Sequence, residues 1–325
     1  MVAAAAGFAP AVLGAGAAAQ SAGPAIVYSV GGRFDGSFNQ SAAAGVEAWT
    51  ARSGRAVAEY EPRDVGQMGQ ALRRFASRGH DPVIAVGFLQ AGAVTEAAAA
   101  HPDTRFTLID AVVEAPNVQS IVYREHEGAY VVGVLAGMAS RSGVVGVVGG
   151  MDIPLIRRVA CGFAQGVKHV SPSATVLYNA AGDTPAAWND PARGAELARA
   201  QIAQGADVVV QAAGGTGLGV LQAAADAGIL GVGTDSNQNG LHPGRVLTSL
   251  LKRTDVAVLA AIEDWAPGVT SLGLEESGLE WALDDDNAPL IDEGMRANAL
   301  FAAAAIAGGD IRVHDSSTEG PCPYL

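Results

Sequence analysis

From Pro24 onward, short apolar runs alternate with amphipathic stretches, which is typical of βαβ units around a parallel sheet. A first series predicts strands at residues 25–30, 56–59, 82–87, 105–110 and 118–123, and a second series at 144–149, 175–178, 207–211, 229–232 and 246–250. Helices are predicted at residues 37–52, 65–78, 91–100, 151–170, 188–204, 217–227, 254–265 and 292–307. Because the second series repeats the plan of the first, the pattern predicts two Rossmann-like lobes.

Ligands of doubly wound sheets bind at the carboxyl ends of the strands, so function is sought just after each strand. The residues there are rich in glycine, aromatic and acidic side chains, at positions 31–39, 87–88, 110, 150–152, 213–217 and 234–235. The two series therefore predict a ligand cleft between two lobes.

The composition agrees with two folded lobes and narrows the partners. Of the 325 residues 49% are hydrophobic and 16% charged, enough apolar material for two cores of ordinary domain size. The formal net charge of −13 favours neither phosphate backbones nor anionic lipid surfaces. We therefore expect no nucleic-acid partner and no membrane insertion.

Residues 1–23 are interpreted as the remnant of a signal peptide. An apolar, small-residue stretch ends in Ala17, Ala18, Ala19 and Gln20, which suits a signal peptidase, although no Lys or Arg precedes Arg33. A plain Ala-rich extension is the alternative. Because no Cys lies near this stretch, we expect a protein that is exported to the periplasm and not lipid-anchored.

The two cysteines, Cys161 and Cys322, leave two alternatives open. They pair if the compartment is oxidising and the fold brings them together, and otherwise Cys161 is a buried thiol. Their separation along the chain does not decide between these.

The segment at residues 31–40 follows a strand and opens a helix, which places polar groups and two aromatic rings at the cleft. It is either a binding loop or an N-cap by Asp35 or Ser37, with Phe38 packing as a hydrophobic staple, and both roles can coexist. Asp110 and Asp235 each end an apolar strand, one in each series, and are either ligand acceptors or turn residues.

Three further features belong to the second series. The glycine-rich run at 213–219 resembles a dinucleotide loop only weakly, and its glycines more simply admit a ligand close to the backbone. Trp188 precedes a helix without core periodicity, which favours a stacking platform in the cleft. Lys252 follows a strand and either reaches the cleft or lies in solvent.

Motifs for metal or nucleophilic catalysis are absent from the sequence: there is no His-x-x-x-His, no Cys cluster and no Gly-x-Ser-x-Gly. Paired acids such as Asp110 and Asp235 are also found in glycosidases. Hydroxyl-rich ligands use such acceptors for binding alone. We expect no catalytic residues, no metal and no cofactor.

At these residues the chain resembles the BMP (basic membrane protein) family of ABC-transporter solute-binding proteins, in its purine nucleoside receptor branch. The resemblance extends over residues 24–315 and rests on six stretches: FDGSFNQ at 34–40, FTLID at 106–110, EGAYVVG at 127–133, GGMDIP at 149–154, AAGGTG at 212–217 and TSLLKR at 248–253. It implies a type I periplasmic-binding-protein fold, with two αβα lobes joined by three hinge strands. We expect one lobe at 24–124 plus 250–268 and the other at 125–249 plus 269–325.

The resemblance also implies roles for nine residues around a purine nucleoside. Phe38 and Trp188, the latter where relatives usually have Phe, would sandwich the base, and Asp110 would bind its edge. Asp235, Lys252 and the Gly214 backbone would hold the ribose. The remaining implied contacts are Asp35, Asn39 and Phe88.

The resemblance implies a receptor that captures adenosine, guanosine or inosine and delivers it to ABC permease subunits. We expect it to be a monomer. The alternatives are a nucleoside-cleaving or NAD-linked enzyme, motivated by the two aspartates and the glycine-rich run, and a receptor for another flat polar solute. A regulator of the lac-repressor type shares the fold, but no helix-turn-helix precedes Pro24.

Overall fold

A computed structural model of the chain describes Met1 and residues 22–325. The predicted signal-peptide cleavage region, up to residue 21, lies outside the described residues. Within residues 22–325 there are twelve strands and nine α-helices. The strands are β1 (Ala25–Val27), β2 (Ala58–Tyr60), β3 (Val83–Val86), β4 (Phe106–Ile109), β5 (Val118–Tyr123), β6 (Val144–Met151), β7 (Thr175–Gly182), β8 (Val208–Ala212), β9 (Leu230–Asp235), β10 (Val246–Lys252), β11 (Gly268–Leu272) and β12 (Leu279–Trp281).

The strands form two six-stranded sheets. The first has the order β11-β5-β4-β3-β1-β2 and is parallel throughout. The second has the order β12-β10-β9-β8-β6-β7, in which only β12 is antiparallel to its neighbour. Strands β1, β3 and β4 are buried along their whole length, as expected for central strands covered on both faces.

Helices cover both sheets. They are α1 (Phe38–Ser53), α2 (Val65–Ser77), α3 (Ala91–Ala100), α4 (Glu125–Ala139), α5 (Pro154–Val170), α6 (Pro191–Ala203), α7 (Thr216–Asp226), α8 (Thr254–Glu263) and α9 (Glu293–Ala307). Helices α1 and α8 pack together in the first lobe, while α4 packs on α5 and α9 in the second. The two-lobed periplasmic-binding-protein fold predicted from the sequence is confirmed.

Along residues 22–325 the chain passes between the lobes three times: from β5 to α4, from β10 to α8, and from β11 to β12. The predicted lobe limits at 124, 250 and 268 stay a prediction. Strand β10 continues in the second sheet to Lys252, and β11 extends the first sheet to Leu272.

Each of the ten strands and eight helices predicted from the pattern is present, with its ends shifted by a few residues. Helix α4 was not predicted, because it is buried almost all round and so has no amphipathic period. Its partner α5 lies so close that a Cβ at Gly166 would come within 2.0 Å of the Tyr130 carbonyl oxygen. The short strands β11 and β12 were missed too, and β11 is exposed over most of its length.

The C-terminal segment is fastened to α5. Cys161, on α5, and Cys322 form a disulfide with their Cα atoms 5.6 Å apart, which decides between the two alternatives. Gln165 Nε2 donates to the carbonyl oxygen of His314 at 3.0 Å, and the His314 N–H donates to Gln165 Oε1 at 2.9 Å. The disulfide and this pair of hydrogen bonds hold the end of the chain against the second lobe.

Among the described residues, no helix has both the length and the apolar character needed to cross a bilayer. The same part of the chain brings together no group of three His, Cys, Asp or Glu side chains able to hold a metal ion.

Candidate functional site: the cleft between the lobes

A cavity lies between the lobes at the carboxyl ends of the two sheets. It contains about 800 Å³ of space free of protein atoms, part of it open to solvent. All nine residues predicted to contact a ligand line it: Asp35, Phe38, Asn39, Phe88, Asp110, Trp188, Gly214, Asp235 and Lys252. The fold thus brings the nine together, while their contact with a ligand stays a prediction.

Three aromatic side chains reach the cavity from helix starts and turns. Phe38 begins α1, Phe88 begins a 3-10 helix after β3, and Trp188 ends a 3-10 helix that precedes α6. The rings of Phe88 and Trp188, from opposite lobes, meet edge to face with centroids 6.2 Å apart. Phe38 and Trp188 are therefore available as walls, and Phe88 supports the indole.

The position of Trp188 depends on a glycine. A Cβ at Gly150 would lie 2.4 Å from Cζ3 of the indole, so only glycine lets the six-membered ring lie against that backbone. The indole Nε1 is buried and has no hydrogen-bond partner among the described residues. This is unusual, because a buried Trp N–H normally has an acceptor.

Lys252, at the end of β10, lies at the floor of the cavity and connects the lobes. Its Nζ is 2.7 Å from Oδ2 of Asp110 and 2.9 Å from Oε1 of Glu125. The same ammonium lies 5.2 Å from the ring centroid of Phe38 and 4.8 Å from that of Tyr123. Lys252 is 4% exposed, so the alternative of a solvated lysine is wrong. Both carboxylates and both rings favour its charged form.

Burial and neighbouring charges set the protonation of this cluster. Burial raises the pKa of Asp110, and although Lys252 lowers it, the net pKa is about 6. Burial raises the pKa of Glu125 as well, but Lys252 and Arg158 outweigh it, so that pKa lies below its usual range. Burial lowers the pKa of Lys252, whereas the carboxylates of Asp110, Glu125 and Asp235 raise it above its ordinary value. The cluster holds its charge by mutual pairing.

Glu125 is a member of this cluster that was not predicted from the sequence. It begins α4 at the first crossing between the lobes, is 2% exposed and also lines the cavity. Its second oxygen pairs with Arg158, whose guanidinium also donates to the Tyr123 carbonyl at 2.8 Å. The sequence signal was an acid directly after a strand, the same signal that pointed to Asp110.

Asp35 and Asn39 use their polar atoms to shape the loop before α1. The Asp35 carboxylate accepts from the backbone N–H groups of Ser37, Asn39 and Gln40 at 2.8, 3.0 and 3.1 Å. Asn39 Oδ1 accepts from the Ser29 N–H at 2.9 Å. The N-cap residue of α1 is Ser37, whose side chain makes no capping bond, and Asp35 satisfies the free N–H groups in its place. A ligand role for Asp35 or Asn39 stays a prediction.

Asp235 meets the opposite lobe through a hydroxyl. Ser37 Oγ donates to Asp235 Oδ2 at 2.6 Å and also lies 3.2 Å from the Thr234 carbonyl oxygen. Burial raises the pKa of Asp235, although Lys252 and the Ser37 hydroxyl lower it. Asp235 is therefore an acceptor that already joins the lobes.

Comparison with known proteins places this architecture among transport receptors. The "Uncharacterized lipoprotein PH1714" of Pyrococcus horikoshii is 34% identical over 278 residues, 80% of this chain and 69% of the relative. The "ABC transporter nucleoside-binding protein BmpA" of Lactococcus lactis is 27% identical and aligns with 84% of this chain and 85% of its own. The crystal structure of an ABC transporter solute-binding protein from Aeropyrum pernix is 26% identical, with a TM-score of 0.81 over 90% of this chain and 93% of that one.

These findings settle several expectations. Relatives of this kind indicate an extracytoplasmic protein, and the lipoprotein name speaks against the expectation of an unanchored one. The enzyme alternative is set aside, because the family and its structural neighbours are substrate-binding proteins. An ABC permease is the partner implied by such a protein. Residues 24–281 match the sequence model of the family described as "ABC transporter substrate-binding protein PnrA-like", and the chain belongs to that family.

Proposed function

We propose that this protein captures a purine nucleoside between its two lobes, in the periplasm, and delivers it as a monomer to an ABC permease. The observation that carries the proposal is the combination of walls in one cavity. Phe38 and Trp188 offer flat apolar faces, while Asp110 and Asp235 offer buried acceptors.

Each half of a nucleoside has suitable partners in this cavity. A purine is flat, apolar on its faces and polar at its edge, so aromatic walls and a carboxylate suit it. A ribose presents hydroxyl donors, for which Asp235 and the backbone at Gly214 are available. Lys252 supplies a donor for ribose oxygens. The relative from Lactococcus lactis, named a nucleoside-binding protein, supports the same ligand class.

Thermal unfolding with a panel of ligands tests the proposal. Adenosine, guanosine or inosine at about a hundredfold excess over the dissociation constant should stabilise the protein by about 2.7 kcal/mol. Pyrimidine nucleosides and free ribose should stabilise it less, because they leave part of the aromatic slot empty. A shift with sugars or amino acids and none with the three purine nucleosides would refute the ligand assignment.

Mass spectrometry identifies the ligand without a panel. The purified protein is denatured, and the small molecules released are compared with those from the Trp188→Ala variant. A purine nucleoside released from the wild type but depleted in the variant supports the proposal. Another flat polar solute in its place would keep the receptor role and change the ligand. Light scattering of the folded, purified protein, with and without ligand, measures its molar mass and so tests whether it is a monomer.

A further inference from the structure

Three hydrogen bonds join the lobes beside the cavity. Ser236 Oγ donates to the Ser37 carbonyl oxygen at 2.6 Å, and Gln238 Nε2 donates to the Gly36 carbonyl oxygen at 2.8 Å. The third is the bond from Ser37 Oγ to Asp235 described above. Of these five residues only Asp235 lines the cavity. All three bonds run directly between protein groups of the two lobes.

Hydrogen bonds within the second lobe hold Gln238 in place. Its Oε1 accepts from Gln211 Nε2 at 2.8 Å and from the Thr234 N–H at 3.0 Å, and its own N–H donates to Ser249 Oγ at 3.0 Å. The residue is 1% exposed. With the acceptor side of the amide used within its own lobe, the NH₂ group is aimed at the Gly36 carbonyl. A donor held in this way loses little conformational entropy when the bond forms.

The first-lobe partner is held equally firmly. Gly36 and Ser37 lie in the loop whose shape is set by the three backbone N–H groups bound to Asp35. Ser37 is fully buried although it lies between the lobes. Leu218 of α7 comes so close that a Cβ at Gly36 would lie 3.0 Å from its Cδ2. Two rigid surfaces therefore meet at this point.

We propose that Gly36 and Ser37, together with Ser236 and Gln238, form a closure latch that populates the closed state without ligand. A ligand that binds the closed state then has less unfavourable closing free energy to overcome. The latch residues thus set the affinity without touching the ligand. The affinity part of this inference rests on the proposed function, whereas the ligand-free part does not.

Gln238→Glu is the sharpest test. The carboxylate keeps an oxygen for Gln211 and Thr234, but it replaces the donor facing Gly36 with a second acceptor, which repels the carbonyl. Gln201→Glu is the matched control. Gln201 is also fully buried in the second lobe and donates to the Val147 carbonyl at 2.9 Å, with no bond to the first lobe.

The readout is the distance between spin labels on Gln70→Cys and Arg199→Cys, two exposed positions on the outer helices of the two lobes. The native cysteines form a disulfide, so the introduced thiols take the labels. Without ligand, wild type and Gln201→Glu should be mainly at the short distance. Gln238→Glu should move to the long distance, with the closed-to-open ratio reduced about tenfold, roughly one hydrogen bond plus the added repulsion.

Ser236→Ala carries the test if Gln238→Glu does not fold, and it should reduce the same ratio about fivefold. The proposal is overturned if the wild type and both latch variants show the same distribution of label distances without ligand, whether open or closed. Titration with inosine then measures the affinity, which Gln238→Glu should weaken by the factor by which the closed fraction falls. If inosine and the other purine nucleosides do not bind the wild type, the proposed function fails while the label distances still decide the latch.

Discussion

Asp110 and Asp235 occupy matching places in the two lobes but have different partners. Each stands at the end of a buried strand with a left-handed backbone, φ being 75° for Asp110 and 69° for Asp235. This conformation is uncommon for residues other than glycine, and it often marks functional sites. Asp110 faces an ammonium, Lys252, whereas Asp235 faces a neutral hydroxyl, Ser37.

The difference shows that one cleft contains both a buried ion pair, Asp110–Lys252, and a hydrogen bond between the lobes, Ser37–Asp235. The Asp110–Lys252 pair belongs to a chain of charges that continues through Glu125 to Arg158 and, at 3.6 Å, Asp315. Breaking it leaves a buried charge without a partner, which is costly. The Ser37–Asp235 bond joins two loops of opposite lobes, and water can replace a hydroxyl–carboxylate bond of this kind at little cost when both groups become exposed.

The largest expected effect comes from removing the cation. Lys252→Met leaves the carboxylate of Asp110 buried without a counter-charge and weakens the support of Glu125. The free energy of unfolding at pH 7 should fall by about 3 to 5 kcal/mol in urea titrations. Arg193→Met removes an exposed partner of Glu196 and serves as control, with an expected loss of about 0.5 kcal/mol. A loss no larger than the control's would show that the buried cluster is not held by Lys252.

The pH dependence of stability isolates Asp110. Because its pKa is about 6 in the folded protein and 3.8 otherwise, the folded state binds more protons between these values. The contribution of Asp110 to the free energy of unfolding is fully present below about pH 4. It falls as the pH rises to about 6, and the total loss is at most about 3 kcal/mol. The Asp110→Asn variant removes only this carboxyl group. It keeps the other titratable groups of the cluster, which are Lys252, Glu125 and the more distant Asp235.

The difference in unfolding free energy between wild type and Asp110→Asn should therefore become less favourable to the wild type between pH 4 and 6. Asp103→Asn, the same change of side chain at an exposed position, is the control. Parallel profiles for wild type and Asp110→Asn would contradict the raised pKa.

The aromatic side chains that line the cavity can be tested through ligand binding. Trp188 belongs to the lobe of Asp235, and Trp188→Ala should weaken purine nucleoside binding by about 1 to 3 kcal/mol, the range for base stacking on aromatic side chains. Trp188→Phe should lose much less, because a ring remains. Calorimetry measures the affinity, and ligand should change the intrinsic fluorescence of the wild type. If Trp188→Ala binds with the affinity of the wild type, the indole does not contact the ligand.

Much of this site could be predicted because it follows from local pattern. Parallel strands bring their carboxyl ends to one edge, so residues at the ends of apolar runs, such as Asp110 and Asp235, were found. Glu125 was missed because it begins α4, whose apolar residues surround the helix and give no period. Which groups pair across the cleft was not predictable, since Ser37 and Asp235 are 198 residues apart and belong to separate sheets. Only the arrangement of the two lobes brings them into contact.

The smallest effect is expected at the neutral partner. Ser37→Ala removes the donor to Asp235 and leaves an Asp235 oxygen without a partner in the closed state. Affinity for a purine nucleoside should therefore fall by at most about 1 kcal/mol, roughly fivefold. Ser120→Ala is matched in burial, and its hydroxyl bonds only with Val113 in the first lobe. That control should lower the free energy of unfolding without changing the affinity. Equal affinities for Ser37→Ala and wild type would mean that a ligand hydroxyl takes over the Asp235 oxygen, and that this aspartate, like Asp110, belongs to the ligand and not to lobe closure.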